Sequence, residues 1–264
     1  MIESTIRKPL ALITGATAGI GQATAIRLAG EGYRLLLAGR RAERLKLLAS
    51  DLKTHYGAEC YCVEVDVRNL EQLTETINNL PPDWEEIDVL INNAGLAAGL
   101  DPVQFGSFDD WNQMIDTNIK GTLFLTRLVA PGMIDRKRGH IINISSIAGK
   151  EVYANGSVYC ATKHAVEALT RGMRIDFVPY GIKVSSVSPG AVETEFSMVR
   201  FKGDGERAKK VYEGFDPLQA EDIADAISYI LSRPSHVNIQ DILIMPAAQA
   251  SSTVLFKNSV EGSK

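Results

Sequence analysis

Seven short apolar runs alternate with amphipathic stretches along this chain of 264 residues, and that alternation constrains its architecture more than any other feature. The runs lie at 10–14, 34–38, 60–65, 87–91, 140–144, 182–187 and 239–245, and each reads as a strand. Between them, stretches such as 20–31, 41–56, 70–80 and 157–177 place apolar residues three and four apart, as helices covering a sheet must. Near-continuous apolar strands joined by crossover helices predict a mostly parallel sheet buried on both faces, because parallel neighbours need long right-handed connections. The expected fold is a doubly wound α/β (Rossmann) sheet of seven strands forming one domain over 1–264. Two stretches stand outside the alternation. Residues 192–214, with Gly203, Gly205 and a charge cluster, read as a substrate lid or a solvated loop, followed by a helix over 220–231. Residues 247–264 form no clear element and are expected on a neighbouring subunit or partly disordered.

Composition excludes several classes of function. A net charge of -4 offers no basic stripe for nucleic acid or an anionic membrane, so the expected partner is a small molecule. The first residues carry too short an apolar run for a signal peptide, and no later stretch reaches the roughly 18 apolar residues of a membrane span. Cys60 and Cys62 sit two apart on one strand face, a poor geometry for pairing, which suits a reduced cytoplasmic protein. The three cysteines and four histidines show no metal-ligand spacing, and no metal is expected.

The first strand runs straight into Thr14-Gly15-Ala16-Thr17-Ala18-Gly19-Ile20-Gly21, which opens the first helix. Gly15 permits a tight turn, Gly19 lets the backbone approach a pyrophosphate, and Gly21 lets helix and strand pack closely. Free N–H groups at the helix start attract the anion. At the end of the second strand, where a carboxylate would hold the ribose hydroxyls of NAD, the chain has Arg40-Arg41. Guanidinium groups there favour a 2′-phosphate and therefore NADP.

Tyr159 and Lys163 lie one helical turn apart and share a face. A phenol of pKa about 10 needs a neighbouring positive charge to work as an acid/base near neutral pH, and both Lys163 and an oxidised nicotinamide could supply one. Ser146, or alternatively Ser145, ends a strand at the carboxyl edge where a substrate would lie, unless both serines only cap local turns. Asn118 is an odd polar intrusion into a helical run, explained by a kink or by a bond to backbone or water.

These motifs in this order resemble the short-chain dehydrogenase/reductase family over practically the whole chain: Thr14 to Gly21, Asp66-Val67, Asn92-Asn93-Ala94-Gly95, Asn118, Ser146, Tyr159-x-x-x-Lys163 and Pro189-Gly190. The resemblance implies hydride transfer between an alcohol or carbonyl and NADP. It makes Tyr159 the proton donor in reduction and Ser146 the group that orients the carbonyl. Lys163 would lower the tyrosine pKa and bond the nicotinamide ribose, and Asn118 would hold a relay water. Thr17 and Ile20 belong to the phosphate loop, Asp66 and Val67 would flank adenine, and Asn93 and Gly95 would line the groove. Beyond Pro189-Gly190, Val192 and Thr194 would contact the nicotinamide amide.

Within the family, the stretch 195–204 and the His236-Val237-Asn238-Ile239 run are most similar to the NADP-dependent 3-hydroxy acid (serine) dehydrogenases. An acidic substrate needs a cation, and Arg200 or Lys202 is placed to clamp its carboxylate. A broad carbonyl reductase, a 3-oxoacyl thioester reductase or a non-catalytic NADP sensor would share most of these motifs. The family habit of assembling through its last strand and preceding helix predicts a homotetramer, with Ile227, Ile230, Leu231, Ile242 and Ile244 as apolar contact surface.

Overall fold

The computed structural model describes residues 7–258. Its strands are β1 (Leu10–Thr14), β2 (Arg34–Gly39), β3 (Cys60–Glu64), β4 (Val89–Asn92), β5 (Gly139–Ile144), β6 (Ile182–Pro189) and β7 (Asp241–Ile244). All pair in parallel in the order β3-β2-β1-β4-β5-β6-β7. The chain steps outward from β1 to β3 and then returns to the other side of β1. The connections leaving β1 and β4 therefore diverge, and a crevice opens beyond their carboxyl ends.

Nine helices are described: α1 (Gly19–Gly30), α2 (Ala42–Tyr56), α3 (Leu70–Asn78), α4 (Phe108–Ile115), α5 (Gly121–Arg136), α6 (Ser157–Phe177), α7 (Phe196–Arg200), α8 (Gly205–Lys210) and α9 (Ala220–Leu231). Side chains alternate along each strand, so Ala11 and Ile13 join Leu28, Leu45 and Ile227 in one core. Leu10 and Leu12 point the other way, into a core with Leu73, Leu125 and Met173. Burial on both faces is why the strands read as continuous apolar runs.

The expected seven-stranded parallel sheet is present, with boundaries shifted by small amounts. β6 runs on to Pro189, whose Cα pairs with Ile244, and β4 starts at Val89 although Ile87 is already buried. Three expectations need correction. The stretch 192–214 is not a plain loop, since α7 and α8 lie within it, α8 being capped by Asp204. Ile227 and Ile230 are fully buried in their own subunit, where the apolar stripe of α9 packs on α1 and the sheet; Tyr229 and Leu243 are the half-exposed apolar residues there. The tail folds back on its own chain: Gln249 and Leu255 form an antiparallel bridge, Ser252 N–H donates to Glu151, and Asn258 N–H donates to the Gly214 carbonyl. Residues 259–264 of the expected tail lie outside the described residues.

His140, on β5, is 4 % exposed, and its Nε2 lies 2.8 Å from Ser185 Oγ. Burial, helped by the charge of Lys183, brings its pKa down to about 3. The folded protein thus keeps His140 neutral while the unfolded chain takes up a proton below about pH 6.5. The stability this contributes is present above pH 6.5 and is lost as pH falls toward 3, at about 1.4 kcal/mol per pH unit. Denaturant titration at pH 7.0 and 5.5 should show this loss in the parent protein and a flatter dependence in His140→Gln; equal slopes would contradict the assignment.

Candidate active site

A cleft of about 640 Å³ occupies the crevice at the carboxyl edge of the sheet. Its floor is the turn after β1. Gly15 has φ of +65°, a backbone conformation that L side chains rarely adopt. Gly21 lies inside α1, where a Cβ would meet Gly15 O at 2.4 Å and Asn93 Nδ2 at 2.5 Å. Its work is to let helix, turn and the strand end at Asn93 converge. No side chain caps α1, so the first-turn N–H groups near Gly19 and Ile20 remain available to an anion at the cleft wall.

Thr17, Arg40 and Arg41 form one end of the cleft. Arg41 donates from Nε and Nη2 to Thr17 Oγ1, and from Nη1 to Glu195. Arg40 is 59 % exposed and lies 3.9 Å from Asp66. Asp66 and Val67 line the wall beside them. The Asp66 carboxylate is held mainly by Arg68, which lowers its pKa. Two guanidinium groups and a hydroxyl converging here fit the 2′-phosphate of a dinucleotide.

At the other end, Ser146, Tyr159 and Lys163 line the cleft together, as expected. Helix α6 carries Tyr159 and Lys163 on its buried face, which packs on β6 and reaches the end of β5 through Lys163. Lys163 Nζ donates to the Ile144 carbonyl at 2.9 Å and sits 5.9 Å from the centre of the Tyr159 ring. Burial brings the Lys163 pKa down to about 8, with Glu167 opposing the shift. Burial also pushes the Tyr159 phenol above its ordinary value, and Tyr153 adds to this; the nearby Ser146 hydroxyl and the charge of Arg200 pull it back. Ser146 Oγ accepts Ala148 N–H, so it caps a short 3-10 turn while still facing the cleft. Ser145 also borders the cleft, with its buried hydroxyl unpartnered among the described residues.

Asn118 lies in a π-helical turn, Asp116–Lys120, between α4 and α5. Its Oδ1 accepts Leu96 N–H, and its Nδ2 donates to Leu96 O and Thr162 Oγ1. Kink and backbone bond, two explanations of this residue, therefore occur together. A Cβ on Gly95 would come within 3.3 Å of Asn118 Oδ1 and 3.4 Å of Lys163 Nζ, so this glycine leaves room where the two side chains meet. Asn93 locks the strand end through bonds to Thr14 O and Gly15 O. Pro189, Gly190, Val192 and Thr194 line the wall leading into the lid.

The lid separates the two candidate substrate cations. Arg200 lines the cleft, with its guanidinium carbon 5.7 Å from the Tyr159 ring centre and 5.4 Å from that of Tyr153. Its Nε donates to Gly99 O at 3.3 Å, and its buried Nη2 has no hydrogen-bond partner among the described residues. Lys202 is corrected as a clamp candidate: it has φ of +54°, lies outside the cleft lining and pairs with Asp110 at 2.9 Å. Sequence reasoning missed Tyr153 and Gln249 and gave Phe196, within the stretch 195–204, no role of its own. Phe196 packs against the Tyr159 ring, and Gln249 Oε1 accepts Ala191 N–H from the folded-back tail. Neither Tyr153 nor Gln249 belongs to a local motif.

The short chain dehydrogenase family profile matches residues 9–205, and this chain belongs to that family. It is 46 % identical over 242 residues to an NADP-dependent 3-hydroxy acid dehydrogenase of Salmonella typhimurium, covering 91 % of this chain and 96 % of that protein. A protein of the same description from Schizosaccharomyces pombe is 41 % identical, covering 93 % and 95 % of the two chains. Among solved structures, a closed serine dehydrogenase complexed with NADP+ superposes with a TM-score of 0.88 at 42 % identity, covering 94 % of this chain and 99 % of that one.

Gly21→Ala should weaken dinucleotide binding by at least about tenfold, equivalent to 1.4 kcal/mol, because a Cβ there must displace the turn at Gly15. Fluorescence titration checks this, and unchanged affinity would show that the turn has slack.

Proposed function

We propose that this protein is an NADP-dependent dehydrogenase of short 3-hydroxy acids, interconverting substrates of the serine and 3-hydroxypropionate type with their 3-oxo products. The observation that carries the reading is the buried, unpartnered Nη2 of Arg200 beside the ring of Tyr159. A 3-hydroxy acid carries both groups such a pair would recognise: a carboxylate for the guanidinium and a nearby hydroxyl for the phenol.

The cofactor's 2′-phosphate is assigned to Thr17, Arg40 and Arg41, its pyrophosphate to the start of α1 with Gly15, Gly19 and Ile20, and its adenine to Asp66 and Val67. Asn93, Gly95, Pro189 and Gly190 form the groove, with Val192 and Thr194 at the nicotinamide amide and Lys163 at its ribose. When bound, the nicotinamide accepts or supplies the hydride. The protein's part is to manage the proton and the charge. In oxidation the Tyr159 phenolate takes the hydroxyl proton and becomes the phenol while Ser146 holds the same oxygen; in reduction the phenol and Ser146 both donate to the oxygen as negative charge develops on it, and the phenol's proton passes to it. The positive charge of Lys163 favours the phenolate at the moment it forms. Asn118 fixes the Leu96 loop and the α6 residue Thr162, so that the Lys163 ammonium and the cleft wall keep their register.

We also assign a homotetramer formed through β7 and α9, now with Tyr229 and Leu243 as exposed anchors, and a cytoplasmic location suited to three unpaired cysteines. Among the described residues no helix is long and apolar enough to cross a membrane. Light scattering should give four times the chain mass, a monomer being contrary, and cell fractionation tests the location.

The decisive assay compares serine, 3-hydroxypropionate, 3-hydroxyisobutyrate and a 3-oxoacyl thioester with NADP and NAD. Arg200→Ala should raise KM for the acids by about tenfold or more and leave a neutral alcohol nearly unchanged, with Arg200→Lys recovering part of the loss. Equal effects on acidic and neutral substrates would move the carboxylate site elsewhere.

A further inference from the structure

The lid enters α7 through a glutamate that the acid/base chemistry does not use. Glu195 Oε2 accepts from Arg41 Nη1 at 2.8 Å, and Oε1 accepts from Arg44 Nη1 at 2.7 Å. Arg41 and Arg44 begin α2, where the helix dipole opposes positive charge, so a carboxylate is well placed to hold them. The same Arg41 donates from Nε and Nη2 to a single neutral oxygen, Thr17 Oγ1, at 3.0 and 2.7 Å. Its fork is thus divided. One edge rests on Glu195, while the Nε/Nη2 edge, suited to two oxygens of a phosphate, is turned to the phosphate-loop side of the cleft. A 2′-phosphate can take that edge without displacing Glu195. The next residue, Phe196, packs 5.7 Å from the Tyr159 ring, and Arg200 ends the same short helix.

We propose that Glu195 is a positioning residue for coenzyme selection: its carboxylate clasps Arg41 and Arg44 across the cleft, keeps the Nε/Nη2 edge of Arg41 turned to the 2′-phosphate, and fastens the substrate lid to that subsite. This rests on the assignment of Arg41 to the 2′-phosphate. Two effects of the carboxylate oppose each other. It repels the phosphate, and it orders the arginines that bind it. Arg41 and Glu195 are 42 % and 49 % exposed, so solvent screens the longer-range repulsion more strongly than the direct hydrogen bonds, at 2.8 and 2.7 Å, through which the carboxylate orders the two arginines. Ordering wins, and the sign of the Glu195→Gln effect follows.

The test is calorimetric titration of the enzyme with NADP+ and NAD+ in the absence of substrate, for the parent, Glu195→Gln, Arg41→Met and the double variant. Glu195→Gln should raise the NADP+ dissociation constant about fivefold, the scale of an exposed but doubly held ion pair, and change NAD+ binding less than about twofold. In the Arg41→Met background, Glu195→Gln should add less than about twofold to the loss, because its main route is gone. Unchanged or tighter NADP+ binding in Glu195→Gln would overturn the proposal, since repulsion would then dominate. Equal losses for NADP+ and NAD+ would also overturn it, as would an undiminished effect in the double variant. If Arg41→Met alone leaves the preference for NADP+ intact, the 2′-phosphate assignment itself fails, and the clasp fails with it.

Discussion

The crevice exists because the connections leaving the paired strands β1 and β4 diverge, and a small set of hydrogen bonds fixes the point from which they part. Thr14 Oγ1 accepts the N–H groups of Asn93 and Ala94 at 3.0 and 2.9 Å, while Asn93 Nδ2 donates to Thr14 O at 2.8 Å. Each bond contributes only about 0.5–1.5 kcal/mol net, yet leaving one of these part-buried groups unpaired would cost about 1–3 kcal/mol. The joint ties the half of the sheet that carries the phosphate loop and arginines to the half that carries Ser146, Tyr159 and Lys163. A shift there would move one set of groups relative to the other, and hydride transfer tolerates little such error.

On that frame, the end of the cleft that holds Tyr159 sets one buried cation, Lys163, and one half-buried cation, Arg200, around a buried phenol. Lys163 keeps one hydrogen bond to the Ile144 carbonyl, and Arg200 keeps one to Gly99 with its Nη2 unpaired. Burying charge with so few partners is costly, so the arrangement is more readily understood as poised for ligands than as a source of stability. The low pKa of Lys163 and the high pKa of Tyr159 have the same cause, burial, acting on groups of opposite charge type. A bound carboxylate and a reacting oxygen would offset part of that cost.

The fold was legible because a parallel sheet buried on both faces leaves unbroken apolar runs, and α6 and α9 begin and end where their periodicity and charge pattern do. The residues that meet in the cleft, Gly15, Gly19, Ser146, Tyr159 and Lys163 among them, were legible for a different reason: each sits in a local motif whose spacing survives in sequence. What remained hidden depends on tertiary direction. Arg200 and Lys202 are two positions apart and alike in charge, and only the helical turn at Arg200 and the left-handed backbone at Lys202 separate one in the cleft from one on Asp110. The stripe of α9 announces that Ile227 and Ile230 are covered but not by what, and their own subunit covers them. The tail has no periodicity because side chain–backbone bonds such as that of Gln249 to Ala191 hold it, rather than a packed face.

The reaction is direct hydride transfer between the hydroxyl-bearing carbon of a short 3-hydroxy acid and NADP. Incubation with 3-hydroxypropionate deuterated at C3, followed by mass spectrometry of the reduced coenzyme, tests it without reference to any variant. Direct transfer predicts one deuterium per molecule of NADPH formed, with none appearing when unlabelled substrate turns over in deuterated water. NADPH lacking the substrate's deuterium, or labelled from solvent instead, would contradict it.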